Sequence, residues 1–149
     1  PTYVGLERDD LPEISLGSGL NLELIAGGYG REKGKVNTPF PLLFGALTGK
    51  GSGELHIPQN MEGGMYVIRG TGRIVGHGII EEQHFYQIEP GVKSIDLNVE
   101  DKFLALVMLG EPIKESLATY GPFVMNNQTE IMEAMRDYNQ GRMGILIEE

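Results

Sequence analysis

The sequence predicts an all-β jelly-roll barrel (a double-stranded β-helix) followed by one C-terminal α-helix. Twenty-two glycines and eight prolines are spread along the 149 residues and separate short apolar stretches. Reversals at this spacing are typical of a sandwich or barrel, whereas longer helical segments between strands would indicate a parallel sheet. About eight candidate strands lie between residues 20 and 109, a number that suits a jelly roll made of two packed sheets.

Two kinds of apolar pattern predict the strands. Strict alternation predicts strands with one buried face, and it occurs at Leu20, Leu22 and Leu24 and again at Ile95, Leu97 and Val99. Continuous apolar runs at residues 65–68 and 103–109 predict strands that are covered on both faces.

Glycine and proline predict where the chain turns. We expect a tight hairpin at Gly70-Thr71-Gly72, because glycine tolerates the positive φ that such turns require. Further reversals are expected at Gly76-His77-Gly78 and at Pro90-Gly91. The stretch Gly49-Lys50-Gly51-Ser52-Gly53 leads into a strand and not into a helix, so we interpret it as a flexible connection and not as a phosphate-binding loop.

The last part of the chain has helical signals. Asn127 and Glu130 have the spacing of a capping box, and Gly141 supplies a left-handed stop. The apolar residues between them are expected on one helical face, and they are Ile131, Met132, Ala134, Met135 and Tyr138. We predict one domain over residues 1–149, with a barrel at about 20–110 and a helix at about 127–140, whose apolar face covers either the barrel or a neighbouring chain.

Composition excludes several classes of function. No cysteine is present, which rules out disulfides, thiolate zinc sites and cysteine nucleophiles. The formal charge of −9 opposes direct binding to a nucleic-acid backbone. No apolar run approaches the length of about 18–20 residues that a membrane span needs, and no signal peptide opens the chain, so we expect a soluble cytoplasmic protein.

Several stretches resemble the C-terminal domain of the pirin family. The most specific is Tyr120-Gly121-Pro122-Phe123-Val124-Met125-Asn126, which follows Gly110-Glu111-Pro112-Ile113 and precedes the capped helix at the spacing expected in pirins. The opening Pro1-Thr2-Tyr3, the stretch Ile25-Ala26-Gly27-Gly28 and the strand Met65-Tyr66-Val67-Ile68-Arg69-Gly70 are also similar, so the resemblance covers nearly the whole chain.

The resemblance implies a cupin barrel of a particular kind. Pirins contain two cupin barrels in tandem, of which the N-terminal one binds a metal, usually iron, and some bacterial members oxidise flavonols such as quercetin. Eukaryotic pirins have been assigned a role as transcriptional co-regulators. This chain is similar to the second barrel, which generally carries no metal, so it corresponds to a one-barrel relative or to half of a longer protein.

The metal ligands of a catalytic cupin are largely missing from this sequence. Such a site takes about three histidines and one carboxylate from neighbouring strands, and alternate positions of a His-X-His motif direct two imidazoles into the barrel. When the pirin motif is laid on the chain, His56 takes the place of the first histidine, Pro58 replaces the second, and only Asp96 falls on the second motif. We therefore expect no metal and no other cofactor in this chain; Fe(II) or another divalent metal is expected only if an intact N-terminal barrel is present.

The remaining candidates for a site are few. His56, Glu62 and His84 are weak metal candidates, since an irregular site of His56, His84 and a carboxylate such as Glu54, Glu62 or Glu81 is conceivable. His77 stands between two glycines, where a turn would direct it to solvent. Side chains that could line a cavity, although core packing explains them as well, are Phe40, Phe44, Met65 and Tyr66.

These observations favour a non-catalytic structural or interaction module, with no catalytic residue in the chain. Two alternatives stay open: a metal-dependent dioxygenase of the quercetin 2,3-dioxygenase type, and a barrel that binds a small molecule of unknown identity. The expected partner is a second copy, most simply in a dimer, or another cupin barrel; neither a nucleic acid nor a membrane is expected.

Overall fold

The computed structural model describes residues 4–144, which divide after Pro112 into two compact units. The first three residues, which contribute to the resemblance, lie outside the described residues. In the described part of the first unit a short 3-10 helix (Arg8–Asp10) precedes nine strands: β1 (Glu13–Ser15), β2 (Gly17–Tyr29), β3 (Glu32–Lys33), β4 (Leu42–His56), β5 (Glu62–Arg69), β6 (Gly72–Ile74), β7 (Gly78–Ile80), β8 (Phe85–Ile88) and β9 (Ser94–Gly110).

Two long strands, β4 and β9, organise the jelly roll. They pair antiparallel along their length, with Leu42 opposite Gly110 at one end and His56 opposite Ser94 at the other. β2 flanks β4 on both halves of the barrel, and on one half β9 is flanked by β5 and then β8. On the other half, β9 pairs with β6, which pairs with β7. The all-β jelly-roll prediction is therefore confirmed.

The glycine-rich stretch predicted to be a connection lies inside β4. The register with β9 shifts between Gly49 and Gly51, where β4 passes from one half of the barrel to the other. Both glycines have positive φ, +125° and +131°, and a Cβ on Gly51 would stand 1.9 Å from the Ser18 carbonyl oxygen. Glycine is needed here because the backbones of β2 and β4 approach too closely for a side chain. The prediction of a flexible connection was wrong for this reason.

One apolar core fills the barrel, and residues from both halves of β4 and β9 contribute to it. The alternating residues predicted for β2 and β9 are all buried, with 0% exposure at Leu20, Leu22 and Leu24. The core continues through Leu43, Leu47, Leu55, Ile57, Met65, Val67, Ile80, Ile95, Leu97, Val99, Phe103, Ala105, Val107 and Leu109.

The two continuous apolar runs are covered on one face only, which corrects the prediction. On β9 the odd-numbered residues from 103 to 109 are buried, whereas Leu104 and Leu106 are half-buried and Met108 is exposed. On β5, Ile68 is 40% exposed. The residues that point away from the core form what we call the outer apolar face: Phe44, Tyr66, Ile68, Phe85, Leu104, Leu106 and Met108.

The predicted turns divide into confirmed reversals and one wrong prediction. Gly76-His77-Gly78 closes the β6–β7 hairpin, with Ile74 opposite Gly78, and Gly91 turns the chain with a φ of +88°. The segment at Gly70 is not a hairpin, because β5 and β6 do not pair with each other. Both pair with β9, so the chain continues along β9 from Arg69, opposite Leu104, to Gly72, opposite Val99.

The second unit is a hairpin followed by the predicted helix. Strands β10 (Ala118–Tyr120) and β11 (Phe123–Met125) pair through a turn at Gly121, whose φ is +53°. Helix α1 (Gln128–Asn139) lies within a residue of the predicted bounds, and the Phe123 ring contacts the Tyr138 ring edge-on at a centroid distance of 6.0 Å. No helix among residues 4–144 is long and apolar enough to cross a membrane.

The helix ends follow the predicted capping chemistry with one difference. The Glu130 backbone N–H donates to Asn127 Oδ1 at 3.0 Å, as expected, but the Glu130 carboxylate accepts from the Asn126 N–H at 2.9 Å, one residue before the cap. Gly141 has the predicted positive φ of +70°. The apolar face is narrower than predicted: Ile131 and Ala134 are buried, whereas Met132 and Tyr138 are more than 60% exposed.

Candidate functional site

The strand that carries the first candidate ligand directs it out of the barrel. Leu55 and Ile57 are buried at 0% and 8% exposure, so His56, which lies between them, faces the opposite side. Its side chain is 68% exposed, and Nδ1 lies 3.6 Å from Glu54 Oε1, which belongs to the same outward-facing set. The position therefore presents a surface imidazole and not an interior ligand.

Tyr29 is linked to the backbone of this segment. The His56 N–H donates to the Tyr29 hydroxyl oxygen at 3.0 Å. Burial raises the pKa of Tyr29, and the nearby Glu54 charge acts in the same direction, while the hydrogen bond from His56 lowers it. The tyrosine is therefore neutral at physiological pH and acts as an acceptor that fixes the end of β4.

The other two metal candidates lie far from each other. Glu62 begins β5, whereas the His84 carbonyl accepts from the Val67 N–H near the other end of that strand. Five residues of extended chain span about 16 Å, which is too far for two ligands of one ion. His84 is exposed, and its Nδ1 lies 2.9 Å from the carbonyl oxygen of Glu82, two residues earlier in the chain.

The donor groups of residues 4–144 do not fit a transition-metal site. No three aspartate, glutamate or histidine side chains in this part of the chain lie close enough together to hold an ion. Near the His56 end of β4 and the start of β9, the buried positions are Leu55, Ile57, Ile95 and Leu97, and these side chains have no atom that can bind a metal. His77 lies in the β6–β7 turn and is exposed to solvent.

A buried carboxylate occurs at Glu23, but its charge is already compensated. Arg8 pairs with it, with Arg8 Nε 3.0 Å from Glu23 Oε1, and the Thr48 hydroxyl donates to the same oxygen at 3.1 Å. The hydrogen bond to Glu23, followed by its negative charge, raises the pKa of Arg8. This cluster attaches the 3-10 segment to β2 and is a structural feature.

The structure separates the four residues proposed to line a cavity. Met65 is 1% exposed and faces inwards, whereas Phe44 and Tyr66 belong to the outer apolar face. Phe40 is 54% exposed and borders a shallow cavity with Met61 and residues 36–42. Adjacent residues such as Met65 and Tyr66 cannot share one side of a strand, which the amino-acid types alone did not reveal.

A cleft opens where β8 approaches the start of β9 and the β6–β7 turn, and of its lining residues the sequence analysis proposed only Met65 for a cavity. Its volume is about 400 Å³. Its apolar lining is made of Met65, Ile74, Val75, Phe85, Tyr86, Ile88, Val92 and Ile95, and its polar lining is made of His77, Gln87, Glu89, Ser94 and Asp96. The only sequence signal for it is the pair of turns at Gly76 and Pro90-Gly91, which border the cleft.

The two long paired strands and the single apolar interior define a barrel of the cupin type. Residues 45–144 match the model of the pirin C-terminal cupin domain. The chain belongs to the pirin family through this domain.

Individual relatives agree with this assignment. A pirin-like protein of Solanum lycopersicum is 32% identical over 97% of this chain, and a Pseudomonas aeruginosa protein provisionally named a quercetin 2,3-dioxygenase is 32% identical over 95% of it. Among solved structures, the quercetin 2,3-dioxygenase of Acinetobacter baumannii superposes with a TM-score of 0.85 and 32% identity over 98% of this chain. The chain spans about half the length of these relatives, 50–52%.

Proposed function

We propose that this pirin-type barrel is a non-catalytic module that supports or binds another folded domain. The observation that supports the proposal most directly is the apolar interior at Leu55, Ile57, Ile95 and Leu97. A cupin that activates oxygen needs nitrogen and oxygen donors at converging positions of this kind. Leucine and isoleucine there stabilise the barrel by burial and provide no ligand.

The outer apolar face supports an interaction role. Phe85 is 54% exposed, Ile68 40% and Met108 37%, and these side chains adjoin half-buried Phe44, Tyr66, Leu104 and Leu106. A contiguous exposed apolar patch on a sheet is a feature of surfaces that bind another protein. We expect a second barrel to cover it, either in a dimer of this chain or as a further domain, since the curated relatives are about twice as long.

Metal analysis and an activity assay test the non-catalytic proposal. The purified chain, incubated with Fe(II) and dialysed, is expected to retain far less than one metal ion per molecule and to leave quercetin unchanged. Retention of one ion per chain, or quercetin loss proportional to protein concentration and abolished by His56→Ala, would contradict the proposal. Free Fe(II) at the same concentration is the control for uncatalysed oxidation.

Sedimentation velocity tests the interaction surface. The wild-type chain is expected to self-associate at micromolar concentration, and Met108→Lys is expected to weaken the association by about tenfold or more, because a buried unpaired charge is costly at an interface. Met132→Lys is the matched control, since Met132 is exposed on α1. A monomeric wild-type chain, or equal weakening by both variants, would count against a dimer formed through the outer apolar face.

A metal-dependent dioxygenase of the quercetin 2,3-dioxygenase type is the second candidate. The names of the Acinetobacter and Pseudomonas relatives favour it. The metal-binding residues would then have to lie in a region that matches the half of those relatives not covered here. A longer protein that oxidises quercetin, and whose activity survives substitutions at His56 and His84, would support this division of roles.

A further inference from the structure

The cleft beside β8 has the dimensions and lining of a small-molecule site. Cavities that bind small organic molecules measure about 300–1,000 Å³ and combine apolar walls with a few polar groups, and this one is about 400 Å³. Met65, at 1% exposure, and Ile95, at 9%, contribute from the core side, whereas Glu89 and Gln87 are exposed at its border. The cleft therefore runs from solvent to the apolar core.

The aromatic wall of the cleft is held in place by a hydrogen bond. The Glu81 backbone N–H donates to the Tyr86 hydroxyl oxygen at 2.8 Å. The Tyr86 ring also lies at a centroid distance of 6.3 Å from the His84 ring. A side chain that is already oriented loses little conformational freedom when a ligand binds, which favours stacking of a flat molecule against the ring.

The negative charge of the cleft favours flat molecules that carry a positive charge over those that carry a negative one. Two carboxylates, Glu89 and Asp96, are among its lining residues, and none of the described residues that line it is lysine or arginine. The chain as a whole carries a formal charge of −9, so the surrounding potential repels anions as well. A ligand with a positive charge near its polar end meets two carboxylates, whereas an anion meets no lysine or arginine among the described lining residues.

We propose that this cleft binds a planar aromatic amine, with its ring system between Met65, Ile95 and Tyr86 and its ammonium group near Glu89 and Asp96. Binding of this kind involves no metal and no covalent bond to the protein. The cleft adjoins the outer apolar face at Phe85, which belongs to both, whereas the other residues of that face do not line the cleft.

A pair of indoles with opposite charge tests the proposal. Tryptamine carries an ammonium group and indole-3-acetate a carboxylate on the same ring system. The chain contains no tryptophan, so the indole fluorescence of the ligand can be followed by anisotropy without background from the protein. We expect saturable binding of tryptamine that is about five- to tenfold tighter than that of indole-3-acetate at neutral pH and low salt, where an attractive pair of carboxylates has its greatest effect.

Substitutions separate charge recognition from shape. Glu89→Gln with Asp96→Asn is expected to reduce the preference for tryptamine over indole-3-acetate to below about twofold, while Glu133→Gln on α1, a matched change outside the cleft, is expected to leave it unaltered. Val92→Phe places a ring in the cleft and is expected to weaken tryptamine binding by about tenfold or more, provided that its thermal midpoint shows that it is folded.

Methyl NMR of the unmodified chain locates the ligand whether or not the Val92 variant folds. The Met65 methyl resonance is expected to shift with tryptamine, whereas those of Met108, on the outer apolar face, and Met132, on α1, stay in place. Absence of saturable tryptamine binding at millimolar concentration would overturn the proposal. So would equal affinity for the two indoles, or perturbation of Met108 without Met65.

Discussion

Substitution of two neighbouring residues on β4 tests which face of the strand looks into the barrel. Leu55 has no exposed surface, whereas the His56 side chain is 68% exposed and has one ionic contact, at 3.6 Å, with Glu54. Leu55→Ala removes a buried side chain and leaves a cavity, which costs about 2–5 kcal/mol. His56→Ala removes an exposed side chain with a surface contact, which costs less than about 1 kcal/mol.

Urea denaturation followed by circular dichroism measures both changes. With a slope of about 2 kcal/mol per molar urea, the Leu55→Ala midpoint is expected to fall by roughly 1–2.5 M and the His56→Ala midpoint by less than about 0.5 M. If Leu55→Ala does not fold, Ile57→Val provides a milder change on the same face, with an expected cost of about 1 kcal/mol.

The same measurement with added metal decides whether His56 is a ligand. Any ion that binds the folded chain raises its stability in proportion to the logarithm of the free concentration. We expect the wild-type midpoint to be the same with and without Zn(II) or Fe(II). A metal-induced rise of the urea midpoint that disappears in His56→Ala would refute the outward orientation of His56 and with it the non-catalytic proposal. So would a loss of stability in His56→Ala equal to that in Leu55→Ala.

Three further predictions follow from the fold. Gly51→Ala is expected to destabilise the chain by about 3 kcal/mol or more, because position 51 combines a positive φ with a clash between the new Cβ and the backbone. Gly30→Ala is the control, since Gly30 has a φ of +60° but open space around it. This change should cost about 1 kcal/mol in the same urea titration. The pKa of Tyr29 is raised in the folded chain, so its contribution to the free energy of unfolding is complete below its ordinary pKa of 10.0 and is lost as the pH rises through the folded pKa. Tyr29→Phe should therefore make the free energy of unfolding fall less steeply with pH in that range. An unchanged slope would contradict the assignment. Asn127→Ala removes the helix cap and should weaken α1 by about 1 kcal/mol, seen as faster amide exchange in its first turn, while Asn139→Ala at the exposed end should leave that turn unchanged.

Sequence reasoning predicted well those elements whose residue pattern is compatible with one local structure only. Alternation at Leu20, Leu22 and Leu24 leaves only a strand with one buried face, and all three are fully buried. Asn127 before an apolar helical pattern is an N-cap, and its side chain accepts the expected hydrogen bond. In both cases the signal is local and does not depend on which strand lies beside the segment.

The predictions that failed depended on the pairing partner. The run at residues 103–109 is apolar on both sides of β9, and only the observed exposure of Met108 shows that one side lacks a covering layer. The glycines at Gly49 and Gly51 are compatible with a loop until β2 is found beside them, with the Ser18 carbonyl oxygen where a Cβ would be. The turn at Gly70 resembles a hairpin unless β9 is known to pair on both sides of it.

For the candidate site, the sequence identified the residue types that could bind a metal but not the directions in which their side chains point. Counting histidines left three imidazoles as candidate ligands, but it could not show that His56 faces away from the interior. That conclusion needs the burial of Leu55 and Ile57 on either side. The cleft beside β8 could not be predicted, because its lining residues come from four separate segments between Met65 and Asp96.

The apolar interior also determines the cost in folding stability of placing metal ligands inside this barrel. Building a metal site in this interior would require polar ligands at several inward positions, such as Leu55, Ile57, Ile95 and Leu97, because His56 faces outwards. Each buried imidazole without a partner costs about 1–3 kcal/mol, so three or four of them approach the total stability of a domain, about 5–15 kcal/mol. A metal would offset this cost only once all the ligands were present. Single substitutions would therefore destabilise the barrel without creating a site, and the chain is better suited to change its surface, at the outer apolar face or at the cleft, than its interior.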